Sequence, residues 1–115
     1  MRITRLYTGS DGEAHFEDQD LDMEREGDRW HSALMEATHV RFRETSGDYN
    51  CNWHNPPHRQ LIIILEGELE IQVGDGSARR FRAGDVILAG DTTGRGHISR
   101  AVNRQPRRSV VVILD

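Results

Sequence analysis

Polar and apolar residues alternate from Arg2 to Tyr7, which predicts a first strand closed by the turn-forming "TGSDGE". The following stretch, "HFEDQDLDMEREGDRW", keeps only Phe16, Leu21 and Met23 as apolar anchors and is read as an acidic connection. From Trp30 to Glu44 the pattern is strand-like again, with Val40 and Phe42 on one face and Arg41 and Arg43 on the other. After the polar turn "TSGDYN", the run "QLIIILEGELEIQVGDGSARRFRAGDVILAG" divides into short apolar segments punctuated by Gly67, Gly74 to Gly76 and Gly84-Asp85. Glycine and aspartate supply the backbone angles of tight hairpins, so this part is expected to be a β-meander. "SVVVILD", residues 109 to 115, adds one more strand. Helical periodicity is almost absent, and the regular spacing of short strands predicts an all-β antiparallel sandwich or barrel.

Length and charge narrow the picture. A chain of 115 residues holds one domain with a modest core. Residues 1–46 are expected to provide N-terminal strands and the acidic connection, and residues 47–115 the body of the barrel. The net charge is -4 and the arginines form no continuous block, so nucleic acid is not an expected partner. The clusters Arg79, Arg80, Arg82 and Arg104, Arg107, Arg108 lie beside apolar residues and are read as solvent faces of strands. Cys51 is the only cysteine, which rules out an intrachain disulfide and a cysteine-rich zinc module; it is read as structural. "MRITRLYTGS" has no apolar signal core, and no apolar run approaches the roughly 20 residues of a membrane span. A cytoplasmic protein with no membrane partner is the expectation.

The candidate chemistry starts at "WHNPPHRQLIIILEG", residues 53 to 67. A straight strand would separate His54 from Gln60 by roughly 20 Å, so a shared site requires the chain to fold back between them. Pro56-Pro57 suits that, because proline fixes its own backbone angle and cannot join a ladder. One strand is then expected to end at His54 and the next to begin near Arg59, with His54 and Gln60 facing each other across neighbouring strands. His97, where the glycine-rich "DTTGRGH" runs into another strand, is the third candidate, and His58 a fourth. Arg41, Arg43 and Arg59 are candidate contacts for a carboxylate or phosphate on a substrate, or else part of a solvated strand face. Trp53 is a candidate for the cavity mouth or for packing. Asp91, Thr92 and Thr93 are expected to serve the loop itself by bonding nearby amides, with Asp91 as a catalytic acid or base the lesser alternative. His15, His31 and His39 lack a partner pattern and are read as structural or solvent-exposed.

These positions resemble the two sequence motifs of the cupin superfamily over residues 47 to 100. In the first motif Gly47 leads to His54, Pro56 stands where a second histidine is usual, Gln60 replaces the glutamate, and Gly67 is in register. In the second, Gly84 leads to Thr92-Thr93-Gly94 and His97, with Ala101 in the place of an asparagine. "DTTGRGH" is similar to the corresponding loop of small single-domain cupins. The resemblance implies a double-stranded β-helix, that is, a jelly-roll β-barrel. It further implies a divalent transition metal (iron, manganese, nickel or zinc) held by His54, Gln60 and His97, with His58 able to restore a third nitrogen. Homodimers are common in the superfamily, and the terminal strand "SVVVILD" would then be covered by a partner.

Three functions follow as expectations. One is a metal-dependent protein acting on a small polar molecule by isomerase, lyase, cyclase or dioxygenase chemistry. Another is a metal-free enzyme in which a histidine serves as general base. The third is a module that binds a small molecule without turning it over.

Overall fold

Glycine and proline mark most strand ends in the computed structural model, which describes residues 1–115. The strands are β1 (Arg2–Thr8), β2 (Ala14–Asp20), β3 (Glu24–Glu26), β4 (Arg29–His31), β5 (His39–Thr45) and β6 (Asn50–His54). They continue as β7 (Gln60–Glu66), β8 (Glu68–Gln72), β9 (Ala78–Arg82), β10 (Val86–Ala89), β11 (His97–Ala101) and β12 (Arg107–Ile113). Six strands form one sheet in the order β2-β1-β10-β7-β12-β5, four form a second in the order β6-β11-β8-β9, and β3-β4 is a separate hairpin. The protein is thus all-β, a jelly roll. No helix is long and apolar enough to cross a membrane.

Alternation along the strands fills the space between the two sheets. Leu6, Ile64 and Ile87 come from the six-stranded sheet; Leu69, Ile71 and Phe81 come from the four-stranded one; all six are buried in one cluster. Full burial of such a side chain is worth about 1.5–3 kcal/mol, so this cluster is the main source of cohesion.

Three sequence-based expectations are corrected. The run from Gln60 to Ala89 is not a simple meander, because β7 and β8 belong to different sheets. Gly67 makes the crossing, with φ of 83°, at a place where a side chain would run into the Pro106 carbonyl. Folding over at Gly67 turns Ile64 and Leu69 into the same core. Within this run only β8 and β9 form a hairpin, and β10 returns antiparallel to β7, with Val86 opposite Ile63.

The acidic connection is largely strand. β2 pairs with all of β1, from Arg2 opposite Asp20 to Thr8 opposite Ala14. Its acids point outward to arginines, Glu17 lying 3.4 Å from Arg5 and Asp18 lying 2.7 Å from Arg79. Ala14 is buried and Phe16 packs on the core, so one small and one aromatic residue suffice to seat an otherwise charged edge.

The terminal strand is not an edge. β12 lies between β7 and β5 and leaves no ladder for a partner to cover. The edges of this six-stranded sheet are β2 and β5, and on β5 the apolar face points away from the core: Val40 is 60% and Phe42 80% exposed. Arg43, on the opposite face of β5, is half-buried instead.

Candidate functional site

At the end of β6 and the start of β11 the register sets His54 directly opposite His97. Their ring centroids are 4.5 Å apart with the planes inclined by 58°. Gly96 allows this approach. It has φ of 76°, and a side chain there would collide with the His54 carbonyl.

Each imidazole is held through Nδ1. His97 Nδ1 donates to Asp91 Oδ2 at 2.6 Å, and both residues are buried. His54 Nδ1 donates to the Asn52 carbonyl at 2.8 Å. Carboxylate and carbonyl oxygens only accept, so in the neutral rings Nε2 carries the lone pair in both cases. The loop before His97 is pinned by Asn55, whose amide donates to the carbonyls of Asp91 at 2.9 Å and Thr93 at 3.0 Å.

Beyond Pro56-Pro57 the chain crosses to the other sheet. His54 and Gln60 therefore face each other across the barrel rather than on neighbouring strands, a second consequence of the prolines that corrects the expected pairing. His54, His97 and Gln60 all line one cavity of about 140 Å³ between the sheets. Gln60 is itself buried.

The remaining candidates separate. Arg43 lines the cavity. Arg41 is exposed further along β5. His58 and Arg59 lie outside the cavity, where the prolines turn the loop outward: His58 Nδ1 is 3.8 Å from Asp115, and the Arg59 amide donates to the same carboxylate at 3.2 Å. Trp53 lies under the Arg95 guanidinium, 3.7 Å from the ring centroid, and packs rather than lining the cavity.

Two residues sit differently from their sequence-based expectation. Asp91 serves not the loop amides but His97. Arg107, taken for a solvent-facing residue, is only 6% exposed and lines the cavity with Tyr49, Ser99 and Ser109. The alternation Arg107, Ser109, Val111 along β12 carried the signal: all three are buried, while Arg108 between them is exposed. Burial pushes the Arg107 guanidinium below its ordinary value, an effect opposed by Tyr49 and increased by Arg43. Burial also raises the Tyr49 phenol, and its hydrogen bond with Cys51 adds to the shift.

As a metal centre the donor set is thin. Two imidazoles and one neutral amide converge, and no group of three or more His, Cys, Asp or Glu side chains is assembled to hold an ion. Asp91 is engaged behind His97, and two guanidinium groups line the same cavity. Such a set would hold a dication more weakly than one that includes a carboxylate ligand.

No protein-family model matches the sequence, and no curated protein matches it. Solved structures do match. The chain is similar to a protein of Neisseria meningitidis, with 16% identity, 84% of each chain covered and a TM-score of 0.53. It is similar to a conserved Streptococcus pyogenes protein of unknown function, with 18% identity over 73% of this chain and 69% of that one, at a TM-score of 0.54. It also matches the cupin domain of Cnp3 from Schizosaccharomyces pombe, with 11% identity over 99% of this chain and 84% of that one, at a TM-score of 0.53. At such identities the likeness speaks for the fold alone. Two facing sheets, a cavity between them and this match to a cupin domain place the chain in the cupin fold.

Proposed function

We propose that the protein binds a small polar molecule in the barrel cavity and moves a proton on it, with His97 as the base. The observation that carries this reading is the 2.6 Å contact between Asp91 and His97, both buried. Asp91 fixes the tautomer and orientation of the ring, leaving Nε2 to accept a proton. The carboxylate also lies where the charge of an imidazolium would form. His54, its own ring oriented by Asn52, stands within reach as a second proton carrier, and the Gln60 amide offers both a donor and an acceptor. A proton taken from carbon beside a carbonyl and returned to a neighbouring position is isomerase chemistry. Loss of a leaving group from the same carbanion is lyase chemistry.

Proton abstraction is tested by incubating the protein with small ketones, aldehydes and oxo acids in heavy water and following deuterium incorporation by proton NMR. Exchange is expected with at least one of them, and His97→Ala should slow it by about 10²-fold or more. Asp91→Asn should slow it as well while leaving binding in place. Exchange that survives both substitutions would remove His97 as the base. Binding with no exchange anywhere would make the protein a small-molecule-binding module.

One observation favours a second reading. Histidines that ligate metals characteristically give their other ring nitrogen to a carboxylate or a backbone carbonyl, which is what His97 and His54 do. A divalent ion on His54, His97 and Gln60 is the corresponding proposal. Plasma mass spectrometry on untagged protein decides between them. A stoichiometric transition metal that disappears in the His54→Ala, His97→Ala protein would replace the base reading, and metal-free protein that cannot be loaded would leave it standing.

A further inference from the structure

Arg107 is a cation without a counter-ion. It is 94% buried by its 6% residual exposure, and its Nε and Nη1 find no hydrogen-bond acceptor. The groups that act on its charge are Tyr49, which is neutral at neutral pH, and Arg43, which is another cation. The Tyr49 ring lies 5.7 Å from the guanidinium carbon and offers only its π face. Leaving a buried guanidinium unpaired is costly, and the chain places this one against a cavity instead of a carboxylate.

The surroundings are those of an anion site. Arg43 lies beside it, since the register sets Arg43 opposite Ser109, two residues from Arg107 on the same face of β12. Ser99 and Ser109 add buried hydroxyl groups to the cavity wall. The register also orders the cavity. Gln60 is opposite Ile113 at one end of β12 and Arg107 is at the other, so the amide and the arginines approach from opposite ends. Ile62, Leu69, Ile71 and Ala89 are among the apolar residues of the lining.

We propose that Arg107 and Arg43 bind the carboxylate of a small organic acid, with the rest of that molecule directed toward His54 and His97. The inference rests on the reading of this cavity as the ligand site and adds the substrate class. A carboxylate is planar and matches a guanidinium by paired hydrogen bonds. The volume, about 140 Å³, holds a molecule of about six non-hydrogen atoms. That is the size of a short hydroxy or oxo acid, and a phosphate ester of the same size would leave almost no carbon to reach the histidines.

The test is titration calorimetry with lactate, its neutral amide lactamide, and inorganic phosphate, repeated on Arg107→Met, Arg43→Met and His97→Gln proteins. Lactate is expected to bind with a dissociation constant of about 10 mM or tighter, and lactamide at least about tenfold more weakly. Arg43→Met should weaken lactate by at least about tenfold. Because Arg43 is half-buried, this variant keeps the test valid even where Arg107→Met fails to fold. Overturning results are lactamide binding as well as lactate, phosphate binding in its place, no lactate binding at about 10 mM, or Arg43→Met and a folded Arg107→Met that both bind as the parent does. His97→Gln separates this proposal from the base reading. Lactate binding retained there beside lost proton exchange supports both. Lactate binding in a protein that exchanges no substrate leaves the carboxylate site and removes the base.

Discussion

Gly96→Val is expected to cost about 4 kcal/mol or more of folding stability and to separate the two histidines, the largest effect of any single change near the site. Two penalties combine. A β-branched residue is strained at the positive φ of 76° that Gly96 adopts, and its side chain would run into the His54 carbonyl. Backbone cannot step aside as a flexible side chain can, so β11 must move off β6 and carry His97 away. Guanidinium unfolding measures the stability, and the His54 and His97 ring resonances report the geometry. A variant with parental stability and unmoved ring signals would show that the constraint is imaginary. Gly96→Ala, with a smaller group at the same φ, should fall in between.

Ile87→Ala should lower stability by about 2–5 kcal/mol, with the midpoint falling at unchanged slope in denaturant titration. Ile87 is fully buried on β10, in register with Thr4 of β1 and Ile62 of β7, and packs in the main core cluster. The lost methyl groups leave a void that two hydrogen-bonded neighbours hold open. Phe42→Ala removes more carbon, yet Phe42 is 80% exposed and the change should stay within about 0.5 kcal/mol. Equal losses at the two positions would mean that the outer face of β5 is buried in solution.

The strand boundaries were readable because glycine and proline act locally: Pro56-Pro57 does separate β6 from β7, and Gly67 and Gly84 do end segments. What local chemistry could not say was which sheet the chain enters next. Gly67 reads equally as a hairpin or a crossing, and only the shared core of Ile64 and Leu69 decides. β2 is hard to read because its charges mimic a loop, although Arg5 on the paired strand and Arg79, distant in sequence, meet them. His54, His97 and Gln60 were legible from the motif positions and do share a cavity. Arg107 was not, and Asp91 only as a lesser alternative, because burial inverts the ordinary meaning of a charged residue. An aspartate in a polar loop and an arginine in a basic cluster look solvent-bound until the opposite sheet is in place. Val40 and Phe42 show the converse, an apolar stripe that looks like core and faces outward.

The parallel contact of β1 with β10, with Thr4 opposite Ile87, has a consequence for how the chain reaches this state. Made in order from its N-terminus, β1 has β2 at once but waits for most of the chain before its second neighbour exists. The closing of so long a loop precedes any reward from the contacts it brings, and topologies dominated by such pairings fold in roughly milliseconds to seconds. Leu6, which carries core contacts from β1, has Phe16 of β2 opposite it but remains without the later strands during that wait. The enclosed cavity is accordingly a late product of folding, and a nascent chain lacking β10 has the histidine of β6 but no site.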